Sequence, residues 1–194
     1  MRRRTLDILR DEHSSLAAML QSMRMMVDRG PGDDRGRFFD VLRAMLFYID
    51  EFPERRHHPK ETELLFPRVA KAAPDTGLAI ARLDRDHEYT ERAVRDVQHL
   101  LLGWELLGES SRQVFVDAFT RYVNLYLEHM RLEEQEILPA AERALTQADW
   151  DVLDAAFEQN CDPLTGKYQP DPVYEALFSR IVQKAPAPIG LGQA

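Results

Sequence analysis

The chain is poor in cysteine, in glycine, in basic charge and in long apolar stretches, and each shortage excludes something. One cysteine, Cys161, among 194 residues rules out an internal disulfide and a cysteine-only metal site, and agrees with a reducing compartment. No uninterrupted apolar run approaches the roughly 20 residues of a spanning helix, so a membrane-embedded protein is not expected. Met1-Arg2-Arg3-Arg4 resembles the basic start of a signal peptide, but Asp7, Arg10, Asp11 and Glu12 interrupt the apolar segment that should follow, and a cytoplasmic location is the expectation. With 25 Lys and Arg against 33 Asp and Glu, the net charge of -8 argues against nucleic acid as the main partner, because phosphate binding needs a basic surface. Only 9 glycines and 44% hydrophobic residues suit one domain of ordinary size with a substantial core.

What the chain does have is a repeated pair of metal-ligand types. His57-x3-Glu61 and His129-x3-Glu133 lie inside two matching stretches, HHPKETELLFP and HMRLEEQEILP. Aligning their ends puts Pro67 on Pro139, Glu61 on Glu133 and His57 on His129, each 72 residues apart. Two further histidines, His13 and His87, are 74 residues apart, each preceded by an acid, Glu12 or Asp86. Four residues turn a helix by about 400°, which leaves His and Glu about 40° apart on one face and one turn apart in height. An imidazole nitrogen and a carboxylate oxygen converging there suit iron, manganese or zinc. Two such helices facing each other suit two metals, with each carboxylate able to bridge them.

The hydrophobic periodicity is helical almost throughout. Leu6, Leu9, His13, Leu16, Leu20 and Met23 mark a first helix, 5–29, ended by Gly30-Pro31-Gly32. A second starts near Arg35 and carries Phe38, Leu42, Met45, Phe47 and Ile49; Pro53 and Pro59 predict a kink or break before it resumes through Glu61 to about Ala72. A third runs over 75–107 with Leu78, Leu83, His87, Val94, Val97 and Leu101 inward. A fourth, capped by Ser110 or Ser111, carries Phe115, Phe119, Tyr122, Tyr126, His129 and Glu133 to about Leu145. Short loops between four long helices imply an all-α, antiparallel up-down four-helix bundle over 1–145. A helical extension is expected over 146–184, with Thr146 to Asp149 starting one helix and Asp171-Pro172 another. The Pro-, Gly- and Ala-rich residues 185–194 read as a mobile tail.

These ligands, in this order and spacing, resemble the hemerythrin-like family of HHE cation-binding domains, over roughly Leu6 to Leu145, and the segment 157–166 is similar to a tail on bacterial members. The resemblance implies a bundle around a non-haem di-iron centre with an oxo or hydroxo bridge. In it His13 and His57 would bind one iron, His87 and His129 the other, and Glu61 and Glu133 would bridge them; zinc and manganese are the expected substitutes. In oxygen-carrying hemerythrins the third helix supplies two histidines one turn apart, whereas here Glu91 and Leu83 flank His87 at that distance. Of about twelve positions on two octahedral irons, this ligand set leaves about two open, which favours turnover or a labile metal over oxygen storage.

Candidates to complete coordination or to hydrogen-bond there are His58, Glu91, Tyr48, Tyr122 and Tyr126. His58 reads as a surface residue before it reads as a ligand, and Glu91 as a solvated carboxylate. Glu12 and Asp86 point about 100° away from their neighbouring histidines, so solvent or an adjacent helix is their expected partner. His99 falls outside the site, the methionines are core fillers, and Cys161 has neither a histidine base nor a second thiol nearby. The functional expectation is an iron protein that binds or reduces O2, NO or peroxide. If the protein is an enzyme, an external electron donor is expected, because the sequence shows no flavin, haem or Cys-rich cluster motif. The alternatives are an oxygen, redox or iron sensor or iron-handling module, and a helical interaction module holding zinc or a vestigial site. Trp150 and Phe178, taken as exposed on the extension, suggest a homodimer.

Overall fold

A computed structural model describes residues 3–167 and 172–192. Within them the chain is helical, with no strand. Four rods form the bundle. The first is α1 (Arg4–Arg29). The second joins α2 (Arg35–Ile49), α3 (His58–Lys60) and α4 (Phe66–Ala72) end to end. The third is α5 (Gly77–Leu107), and the fourth joins α6 (Arg112–Leu132) to α7 (Leu138–Ala144). Contacts of α1 with α2, α2 with α5, α5 with α6 and α6 with α1 close the ring. Gly30 and Gly108 end α1 and α5 at positive φ, where other residues are strained. Ser111 takes the N-cap position of α6, but its side chain makes no capping hydrogen bond.

The second rod does not break at its prolines. The expected kink is replaced by π-helical segments, Asp50–His57 and Glu61–Leu65, and the fourth rod has one at Glu133–Ile137. Each of the three ends two residues before a proline: Pro59, Pro67 and Pro139. Proline cannot donate to the carbonyl four residues back, and its ring crowds that carbonyl. Widening the turn lets the preceding residue reach back five positions instead. Accordingly the His58 N–H bonds the Pro53 carbonyl, the Phe66 N–H that of Glu61, and the Leu138 N–H that of Glu133. The matched prolines of the two halves thus produce matched wide turns that begin at the two repeated glutamates.

The core is divided into two apolar layers. One gathers Leu16, Met19, Phe39, Met45, Val94, Trp104, Phe115 and Phe119; the other gathers Leu9, Leu65, Phe66, Leu83, Ile137 and Leu138. On every rod the repeated histidines and glutamates fall between the two, so they form one polar layer sealed from both ends. Phe47, Met25 and Leu78, expected inside, are exposed.

The extension completes both layers. Helix α8 (Gln147–Phe157) starts where expected, at Thr146 to Asp149, which form a capping box, and buries Trp150, Leu153 and Phe157 in the layer of Leu9 and Phe66, beside α1. Thr5 donates through both its backbone N and its hydroxyl to Asp154, at 2.8 and 2.7 Å. Helix α9 (Glu175–Lys184) follows a 3-10 turn, Pro172–Tyr174, and lays Phe178 and Ile181 on the upper layer; the expected cap Asp171 lies outside the described residues. Trp150 and Phe178 are 0% and 4% exposed, so they offer no dimer surface, and the homodimer expectation loses that support.

Where a mobile tail was expected over 185–194, residues 185–192 instead fold back on α1. Ser22 Oγ donates to the Pro186 carbonyl at 2.9 Å and accepts from the Ile189 N–H at 3.1 Å. A Cβ on Gly190 would collide with the Ala185 carbonyl, which explains a small residue there without invoking mobility. Gly190→Ala is therefore expected to cost about 1–3 kcal/mol, the usual range for overpacking against backbone, read as a lowered urea midpoint at unchanged m-value.

Candidate metal centre

Seven side chains from the four rods meet in the polar layer: His13 from α1; His57, His58 and Glu61 around α3; His87 from α5; His129 from α6 and Glu133 just after it. All seven are buried. They form two groups that share Glu61. His13, His57, Glu61 and Glu133 can bring one ligand atom each within 4.8 Å of one another, and so can His58, Glu61, His87 and His129.

Glu61 faces both groups. Its Oε1 lies 2.8 Å from His57 Nε2 and its Oε2 3.3 Å from His87 Nε2. Glu133 Oε2 lies 3.3 Å from His13 Nε2, and His87 and His129 bring their Nε2 atoms to 3.2 Å. None of the four oxygens of Glu61 and Glu133 makes a hydrogen bond, although both residues are 0% exposed. Buried polar atoms are rarely left so. Burial and the facing Glu133 push Glu61 up to about 8, because two buried carboxylates at close range resist ionising together. A metal cation between them removes both penalties, so the donor set and its orphaned oxygens fit metal ions.

The far side of each ring supports the same reading. His57 Nδ1 lies 2.7 Å from Glu12 Oε2, His13 Nδ1 3.0 Å from Glu134 Oε1, and His58 Nδ1 3.0 Å from Glu54 Oε2. His87 Nδ1 lies 2.8 Å from Thr62 Oγ1, whose hydroxyl donates to Asp84 at 3.1 Å. In the fifth case Asp86 stands 3.7 Å from His129 Nδ1. An acceptor on Nδ1 holds the proton there and turns the Nε2 lone pair to the centre, the arrangement typical of metal-ligating histidines. Although burial opposes the charged form of His13, Glu133 and Glu134 more than offset it and raise its pKa to about 9.

His58 corrects the expectation of a surface residue: it is 4% exposed and belongs to the second group. In an α-helix adjacent residues point about 100° apart. The π-helical turn that ends at His57 packs more residues into each turn, so the step between neighbours is smaller and both rings reach inward. The signal was Pro59, directly after the pair. The second rod thus brings a third histidine to the group of Glu61, His87 and His129.

The other candidates separate. Tyr126 OH lies 3.0 Å from His58 Nε2. Tyr122 OH donates to Glu54 at 3.3 Å, beside Thr90, which donates at 3.1 Å. Burial pushes Glu54 up to about 7 against these hydrogen bonds. Tyr48 turns away and donates to Asp162. Glu91 is exposed and pairs with Arg95 at 3.0 Å, so it is outside the site. Glu12 and Asp86 do serve the neighbouring helix, as expected, and their matched positions ahead of His13 and His87 were the legible sign. Glu54, Thr62 and Glu134 carried no such sign. A cavity of about 20 Å³, lined by His57, His58, Tyr126, Phe52, Asn160 and Asp162 among others, adjoins the histidines and is large enough for about one water-sized molecule.

Comparison with known proteins agrees with this geometry. The family model for the hemerythrin HHE cation binding domain matches residues 4–141, a span that holds all seven side chains. An uncharacterized protein of Haemophilus influenzae is 28% identical over 95 residues, covering 49% of this chain and 53% of its own length; the match spans about half of that relative. No solved structure matches the chain. Among the described residues no helix is long and apolar enough to cross a membrane. With the matched span running through all four rods and the polar layer they enclose, the chain belongs to the hemerythrin HHE cation-binding family.

Proposed function

We propose that the protein is a non-haem di-iron protein that binds or reduces a small oxidant: O2, NO or peroxide. The observation that carries this reading is Glu61, buried between two histidine groups with one oxygen toward each and no hydrogen bond to either oxygen. His13 and His57 would hold one metal and His58, His87 and His129 the other, with Glu61 and Glu133 between them. Two irons so held would supply electrons and an open coordination position.

The chain's own residues do the rest. The two apolar layers exclude bulk water from the polar layer, and the small cavity limits what enters to a molecule of a few atoms. Tyr126 lines that cavity, and with a metal on His58 Nε2 its hydroxyl would be free to donate a hydrogen bond to a molecule there. Glu12, Glu54 and Glu134 hold three of the rings in the tautomer that presents Nε2. Repeated turnover draws on an external reductant, since no internal electron carrier is encoded.

Metal content and the visible spectrum of freshly purified protein test the centre. Rapid mixing of the anaerobically iron-loaded, reduced protein with each oxidant tests the chemistry. The expected result is about two irons per chain and, with at least one oxidant, a reaction faster than that of free Fe(II). Zinc as the native metal, or no acceleration with any of the three, would sink the oxidant reading while leaving the metal centre standing.

A further inference from the structure

The two halves repeat the same carboxylate–histidine pair, but only one of them is braced. Glu12 and Asp86 occupy matched positions ahead of His13 and His87, and each serves the histidine of the next rod, His57 or His129. In the first half the pair is 2.7 Å apart, and Glu12 Oε2 also accepts a hydrogen bond from Asn160 Nδ2 at 3.0 Å. Asn160 is 2% exposed, and its Oδ1 accepts from Lys60 Nζ. In the second half the pair is 3.7 Å apart, and Asp86 Oδ2 is buried without a hydrogen-bond partner, with only the long ion pair to Arg82 Nε, at 3.9 Å, behind it.

Asn160 comes from the extension, outside the span that the family model matches. Its backbone N–H closes the end of α8 on the Phe157 carbonyl at 2.9 Å, and the next turn is held by Asp162, which accepts from the Leu164 N–H at 2.9 Å. Lys60 fixes which way the amide points: the carbonyl oxygen must meet the ammonium, so the NH2 must meet Glu12. An amide locked in that sense keeps the Glu12 carboxylate on His57 Nδ1 and, through the ring, keeps His57 Nε2 on the centre.

We propose that Asn160 is a positioning residue of the metal centre, acting through Glu12 on His57, and that it strengthens metal binding at the His13–His57 position. The inference rests on the two-metal reading above.

The test measures Co(II) binding by calorimetry and d–d absorption in two backgrounds. His129→Ala leaves the His13–His57 position intact, and His13→Ala leaves the His58–His87–His129 position intact. Asn160→Asp preserves size and the Lys60 contact but replaces the donor to Glu12 with a repelling carboxylate. It is expected to weaken Co(II) binding by about 10- to 100-fold in the His129→Ala background, the range typical of losing a partner behind a ligand, and to leave the His13→Ala background within about 3-fold. Lys60→Met, a half-buried site that tolerates change, is expected to produce a smaller loss in the same background, which guards against a variant that does not fold. Lys167→Ala, which removes an extension contact to Asp11 without touching Asn160, is expected to change neither. Equal weakening in both backgrounds, or none with Asn160→Asp or Lys60→Met in the first, would overturn the proposal while leaving the metal centre intact. Absence of Co(II) binding in the otherwise unaltered chain would bring down the two-metal reading and this proposal together.

Discussion

Glu61→Ala is expected to lower bound iron from about two ions per chain to about none and to abolish the visible absorption, because this carboxylate is the one group common to both ligand sets. Its effect on the metal-free fold is small. Glu61 is fully buried, lies near Glu133 and makes no hydrogen bond, so the ionised form is costly. Truncation removes that cost, but it also removes the 2.8 Å contact with His57 and leaves a cavity, so the net change in the metal-free chain is expected to stay within about 2 kcal/mol. In the unaltered chain, metal at about a thousandfold above its dissociation constant adds about 4 kcal/mol. Thermal unfolding with and without Fe(II) under anaerobic conditions separates the two effects. The variant should stay close to the unaltered protein without metal and gain nothing from metal. A variant that keeps both irons would show that Glu61 is not shared, and the paired site would have to be abandoned.

His58→Ala is the second large effect. A surface histidine on a helix can be replaced within about 0.5 kcal/mol with no change in metal content. Buried among His87, His129 and Tyr126, with Glu54 on its Nδ1, His58 is instead expected to cost more than the roughly 10- to 100-fold that losing a partner behind a ligand costs. Iron content should therefore fall from about two to about one per chain, with the His13–His57 position retained. Metal analysis after dialysis against a weak chelator reads this directly. Both ions surviving that treatment would return His58 to a packing role and restore the more open centre.

Tyr126→Phe offers a milder contrast. The hydroxyl that reaches His58 Nε2 and lines the cavity is lost, while the ring keeps its stacking on His58, with centroids 5.5 Å apart. Both metals should stay, and the rate with oxidant should change by about 10-fold or less, in keeping with one hydrogen bond of about 1 kcal/mol. Stopped-flow traces beside metal content check this.

The helical periods, the duplicated His-x3-Glu pairs, the second pair of histidines and the helix start at Thr146 were legible because each depends on side chains a few residues apart along one helix. Pairings across rods were harder to see. Thr62 and Glu134 reach their histidines from other rods, and nothing in their local spacing distinguishes them from a solvated hydroxyl and acid; Glu54 stands four residues before His58, a spacing that became informative only once His58 proved buried. The burial of Trp150 and Phe178 depends on α8 and α9 docking over the bundle, which no local pattern specifies. The packing of 185–192 against the bundle was hidden for a related reason: glycine and proline signal mobility by composition, and only the fold shows that Gly190 and Gly192 permit close backbone approach to Ala185 and Lys184.

By itself, then, the sequence determined the four rods and the repeated ligand pairs, because an i to i+4 step on a helix is set by local backbone geometry. The tertiary structure alone decided that His58 is buried beside His87 and His129 and that an asparagine from the extension donates to Glu12 behind His57. Those outcomes arise from prolines that widen turns only within a continuous packed rod, and from polar groups that find partners only once distant segments are buried against each other.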